Sequence, residues 1–171
     1  MSFEGRLPDS PVIFALWHED WMPFFVAFGR LPGRHVMINH PAASMIQIHV
    51  LLRKLGLDRL LLGSSGDEGR RAADELAREL VAGATTTLSP DGPAGPPREL
   101  KRGILHVAAK AQRPVVPLRF ELRPCPRLAS WDRKKVPLPF SSLRIVVGDP
   151  IRVEATDLDV AEARLVNALK P

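Results

Sequence analysis

Tyrosine is absent from this 171-residue chain, and cysteine occurs once. No apolar run approaches the ~20 residues that a membrane-crossing helix needs. Each shortage excludes something. A lone Cys125 forms no internal disulfide and no cysteine-based zinc site, which suits a reducing cytoplasm. The N-terminal stretch MSFEGRLPDSP lacks the apolar centre of a secretory signal, so the expectation is a soluble or peripheral protein. No nucleic-acid recognition motif is present, and the aromatic residues fall on apolar faces, so nucleic acid is not an expected partner. What is present is a globular composition, 45% apolar and 25% charged, in a chain long enough for one domain with a real core. The net charge of +5 by itself favours anionic partners of any kind, phospholipid headgroups, phosphorylated substrates, coenzyme A, acidic carrier proteins or nucleic acid, and does not choose among them. The basic residues are scattered, with one short cluster at Arg133-Lys134-Lys135.

Apolar β-like runs alternate with helical spacing along the chain. Residues 11–17 (PVIFALW), 35–39, 59–62, 85–88, 115–121 and 143–147 read as strands. Residues 43–55, 67–81, 100–112 and 158–169 read as helices. Over 43–55 the apolar spacing runs through Ile46, Val50 and Leu55; over 67–81 it runs through Ala72, Leu76 and Leu80. The alternation predicts an α/β/α sandwich around a mixed, largely parallel sheet, formed by one domain over residues 1–171. In such sheets the site lies at the carboxyl ends of the strands. His18, Ser64, Ser65 and Asp91 each fall just past an expected strand end.

His18 follows the first buried run, and Pro23 follows it. A proline ring clashes with the carbonyl four residues back, so the next helix begins no earlier than about Asp20, with Pro23 in its first turn. Asp20 then reads either as the helix N-cap or as a carboxylate that orients His18. Trp21, Phe24, Phe25 and Phe28 form an aromatic stripe that suits a core, an acyl channel or a bilayer interface. Gly63-Ser64-Ser65-Gly66 opens a helix, and its free amides, with Arg70 nearby, suit an anion. Pro90-Asp91-Gly92-Pro93 has strong turn chemistry, and the following Lys101-Arg102-Gly103 suits a phosphate. His35, His40 and His49 lack a convincing ligand set, so no metal is expected.

Taken in order, ALWHEDWMP, GSSGDEGRRA, LSPDGPAGPPRELKRGILHVAAKAQRPVVPLRF and SWDRKKVPLPFSSLRIVVGDPIRV resemble the lysophospholipid acyltransferase superfamily. The resemblance is to its bacterial branch catalogued as domain of unknown function 374. Pro90-Asp91-Gly92-Pro93 resembles the superfamily's Pro-Glu-Gly-Thr box. Leu100-Lys101-Arg102-Gly103 resembles its Phe-Lys-x-Gly element, and Arg113-Pro114-Val115-Val116-Pro117 resembles its Val-Pro-Ile-Val-Pro strand. The catalytic box, a histidine and an aspartate five positions on, maps to His18 and to Pro23. The arginine expected before the Gly-Ser turn maps near Leu62, and an acidic element of the branch maps to Ala42 and Ala43.

The resemblance implies acyl transfer from a thioester, on coenzyme A or acyl carrier protein, to a hydroxyl of a lysophospholipid or related lipid. No resident cofactor is implied. His18 would be the general base, with Asp20 or Asp91 as the partner that Pro23 cannot be. Asp91 and Gly92 would shape the acceptor pocket, and phosphate binding would fall to Arg59, Arg70, Lys101 or Arg102, beside the turn of Ser64 and Ser65. The protein would sit on the inner face of an anionic membrane through Arg133–Lys135 and the aromatic stripe. The departures at Pro23, Leu62 and Ala42–Ala43 motivate an alternative, a catalytically impaired lipid- or phosphate-binding domain on the same fold.

Overall fold

The computed structural model describes residues 1–9, 11–63 and 66–170. Its strands are β1 (Ser2–Glu4), β2 (Ile13–Ala15), β3 (Arg34–Asn39), β4 (Arg59–Leu62), β5 (Ala84–Leu88), β6 (Val115–Arg123) and β7 (Ser142–Val147). They form one sheet in the order β1-β7-β6-β2-β5-β3-β4. Every neighbouring pair is parallel except β6 with β7. The helices are α1 (Trp21–Ala27), α2 (Ile46–Lys54), α3 (Gly66–Val81), α4 (Gly103–Ala111) and α5 (Leu158–Ala168).

Two apolar layers cover the sheet, which is the expected α/β/α sandwich. On one face, Ile13, Ala15 and Val115 pack with Leu76 and Leu80 of α3, Leu105 and Ala108 of α4, and Leu165 of α5. On the other, Phe14, Val116, Leu118 and Phe120 pack with Phe24 of α1 and Leu52 of α2. Because β2 lies centrally between β5 and β6, Val12–Leu16 is buried on both faces, and this explains its uninterrupted apolar run. The outer half of β6 and all of β7 are covered on one face only, so apolar and polar residues alternate there.

Three local readings need correction. The apolar face of α2 is Ile48, Leu52 and Leu55, while Ile46 and Val50 point to solvent. Strand β1 was not expected; it adds a short edge parallel to β7, with Ser2 opposite Arg144. Helix α4 starts at Gly103 and leaves Leu100–Arg102 in the preceding connection.

Candidate active site

Strands β2 and β5 run side by side, with Ala15 opposite Leu88, so the connections that follow them emerge together at the carboxyl edge. A single 3₁₀ turn, His18–Asp20, follows β2 and leads into α1, whose first turn holds Pro23 as expected. The turn after β5 brings Asp91 beneath it. The His18 backbone N–H donates to Asp91 Oδ1 at 3.0 Å and Oδ2 at 3.3 Å, and the Arg98 N–H donates to Oδ2 at 3.2 Å. Asp91 is only 1% exposed, and burial raises its pKa against the pull of these bonds. The structure thus joins His18 and Asp91, but through the main chain. Asp91 fastens two loops together; its hydrogen bonds go to backbone N–H groups and leave the imidazole to another carboxylate.

That carboxylate is Asp132. His18 Nδ1 lies 2.6 Å from Asp132 Oδ2, and the Asp132 side chain is fully buried. Ser130 Oγ donates to Asp132 Oδ1 at 2.6 Å, and Lys134 Nζ donates to Oδ2. Burial opposes the charge on Asp132, but the bonds from Lys134, Ser130 and His18 prevail and hold its pKa down to about 2. An ionised Asp132 accepts the Nδ1 proton of a neutral imidazole and leaves Nε2 with its lone pair. No hydrogen bond occupies Nε2 among the described residues. Burial pulls the His18 pKa below its ordinary value, with the Lys134 charge adding to the effect and Asp132 opposing it. Trp131 stands with its ring centroid 5.0 Å from that of His18, and Trp21 at 6.4 Å, so indoles flank the imidazole. Trp131 rests on Gly95, where a Cβ would come within 2.7 Å of the ring.

Glu19 fixes this arrangement from below. Its buried carboxylate takes Arg98 Nη2 at 2.8 Å from the Asp91 loop, and Arg127 Nη1 at 2.9 Å from the β6–β7 connection. Its backbone carbonyl accepts the Lys135 N–H at 2.9 Å. The turn carrying His18 is therefore bonded to both loops that face it. Lys135 Nζ also reaches Asp20 Oδ1 at 2.6 Å. This corrects both readings of Asp20: its side chain caps no helix amide, and it pairs with Lys135 instead of orienting His18. Burial raises the Asp20 pKa to about 6, so its charge destabilises the fold above that pH and the penalty is relieved below it. Removing one partner of a buried pair typically costs about 3–5 kcal/mol. Lys135→Met is expected to lower stability by about that amount at pH 8, and by clearly less at pH 5, where Asp20 takes up a proton. Urea unfolding at the two pH values measures both.

The remaining candidates are dispersed. Lys101 stays near the site: its N–H donates to Pro90 O at 2.8 Å, and its ammonium lies 3.5 Å from where a Cβ would stand on Gly92. Arg102 turns away to α5, bonding Glu162 at 2.7 Å and also Asp159, which removes it from the site. Arg70 pairs with Asp67 and lines an outer groove of about 520 Å³ between α3 and α4, with His106 and Lys110. His18 does not line that groove. Ser64 and Ser65 lie outside the described residues. The Arg133–Lys135 cluster is not a solvated patch, because Lys134 and Lys135 turn inward to Asp132, Asp20 and Glu19. Asp132, Ser130 and Glu19 carry no expected role in the sequence, and Lys134 is expected there at a membrane surface instead of in the site. The available signal was the alternation Ser130-x-Asp132-x-Lys134 beside Trp131 in a segment bounded by prolines.

The chain is similar in structure to the 1-acyl-sn-glycerophosphate (LPA) acyltransferase PlsC from Thermotoga maritima. The TM-score is 0.58 at 17% identity, over 98% of this chain and 70% of that one. This likeness establishes a glycerolipid-acyltransferase-like fold. In sequence, the chain is 29% identical over 152 residues to the uncharacterized protein RP090 of Rickettsia prowazekii (strain Madrid E), covering 89% of this chain and 69% of that protein. No protein-family model matches the chain.

Proposed function

We propose that the protein is an O-acyltransferase that moves a fatty acyl group from a thioester to a hydroxyl of a lysophospholipid or related lipid, with His18 as general base. One observation carries the reading: the His18–Asp132 bond leaves Nε2 open at the carboxyl edge of the sheet. Nε2 takes the proton of the acceptor hydroxyl as its oxygen attacks the thioester carbonyl. The carbon–sulfur bond then breaks, and the imidazolium returns the proton to the leaving thiolate. Asp132 holds the ring and stabilises the imidazolium while it exists. The donor is coenzyme A or acyl carrier protein, and Lys101, beside Gly92, is assigned to an acceptor phosphate. The binding-domain alternative arose from the departures at Pro23, Leu62 and Ala42–Ala43; Asp132 answers the first of them, the carboxylate missing at position 23. The test is thioester consumption with a panel of lysophospholipids; lipid binding without turnover of any of them would return the alternative.

Membrane association belongs to the same proposal. Among the described residues no helix is long and apolar enough to cross a bilayer. The connection that carries Asp132 exposes Leu128, Trp131, Leu138 and a fully exposed Phe140, and α1 exposes Val26. These residues, with the exposed Arg133 and the net positive charge, suit peripheral binding to an anionic inner leaflet. Cosedimentation with anionic vesicles is expected to fall as salt rises, and Phe140→Ser to weaken it further. Equal binding to neutral vesicles at high salt would contradict the electrostatic part.

A further inference from the structure

A histidine base and its carboxylate need no further partner, yet Asp132 has two, Ser130 Oγ on Oδ1 and a cation on Oδ2. Its Oδ2 serves both His18 Nδ1 and Lys134 Nζ, and Lys134 Nζ stands 3.4 Å from Nδ1 itself. The charged groups around the ring define what this contact does. The β6–β7 connection contributes Asp132 and Lys134, and the β5–α4 connection contributes Asp91, bonded to the His18 main chain. On the turn of His18 itself, Glu19 is committed to Arg98 and Arg127, and Asp20 to Lys135. The ammonium of Lys134 is thus the cation set directly against the imidazole, and it draws on the same carboxylate oxygen.

We propose that Lys134 is a positioning residue that sets the proton affinity of His18, by sharing Asp132 Oδ2 and holding a positive charge beside Nδ1. An imidazolium formed at His18 faces a carboxylate whose charge is already partly spent and a like charge at contact range. The ring therefore stays neutral, and competent as a base, into mildly acidic pH, and the imidazolium readily gives its proton up. The contribution of Lys134 to catalysis rests on the reading of His18 as the base. Its effect on the ring does not, which makes the two separable.

The experiment is a proton NMR titration of His18, assigned by the resonance missing from His18→Ala, in wild type, Lys134→Met, Lys134→Ala and Lys134→Arg. A like charge this close shifts a pKa by about one unit or more. Lys134→Met and Lys134→Ala are expected to raise the His18 midpoint by about one pH unit, and Lys134→Arg to leave it near wild type. The acid limb of kcat/KM is expected to move up with the NMR midpoint. An unchanged His18 midpoint in folded Lys134→Met or Lys134→Ala overturns the inference. A midpoint that moves while the acid limb stays in place upholds the effect of Lys134 on the ring and overturns His18 as the base. Two truncations of different size, on a side chain only 27% exposed, keep the test usable if one of them fails to fold.

Discussion

His18→Ala is expected to lower thioester-dependent acylation by about 10²–10⁴-fold, the usual contribution of a positioned general base. The protein is expected to remain folded. The His18 side chain is one-fifth exposed, and its ring makes its closest polar contacts with Asp132 and Lys134, which keep each other after truncation. Lipid binding should be nearly intact, because the flanking Trp21 and Trp131 remain. In the wild type the base must be neutral. Burial draws the His18 pKa below its ordinary 6.5, so the acid half-point of kcat/KM should fall below pH 6.5. A rate that already declines between pH 8 and 7 would mean that a different group is titrating.

Asp132→Asn is expected to have an effect of the same order, for a different reason. An asparagine amide oriented to donate to Nδ1 forces the imidazole proton onto Nε2, the atom that has to accept one. The ring is then held in place in the wrong tautomer. The loss should appear in kcat more than in KM, since neither atom of the pair is needed to hold the lipid. The substitution also leaves Lys134 without its carboxylate, so some stability is lost as well. The sign of the pH dependence follows from the depressed pKa of Asp132, about 2. Its contribution to stability is present above the ordinary carboxylate value of ~3.9 and is lost as the pH falls towards 2. Urea midpoints of wild type and Asp132→Asn should therefore differ at pH 7 and converge under strongly acidic conditions.

How much of this is legible in the sequence depends on whether the information is local. The run Val12–Leu16 is buried on both faces and reads as a strand without help. Helix α3 is long enough for Ala72, Leu76 and Leu80 to define one face, and those three are buried. Helix α2 is nine residues long and carries Ile46, Ile48, Val50, Leu51 and Leu52, which are apolar on more than one side. Periodicity cannot choose its phase, and tertiary contact chooses Leu52. Asp91 was reachable because β2 and β5 are neighbours and both connections leave by the same edge. Asp132 was not: it lies 114 positions from His18, in the middle of a connection that holds no helix or strand. The path of that connection is set by Arg127 and Lys135 reaching Glu19, and each is individually an ordinary basic residue. The same geometry explains why the Arg133–Lys135 run resembled a surface patch: a charge run is usually solvated, unless buried carboxylates wait beneath it. Asp20 was misjudged on the same ground, since its partner Lys135 is likewise distant in sequence.

The His18–Asp132 pair as the catalytic unit is tested most directly by a double-mutant comparison of kcat/KM for thioester consumption, on one lysophospholipid that the wild type acylates. Residues that act as a unit are strongly non-additive. His18→Ala combined with Asp132→Asn is predicted to be no slower than His18→Ala alone, because a carboxylate that works only through the ring has nothing left to support. Rate losses that multiply in the double variant, or full turnover in either single variant, would contradict the account.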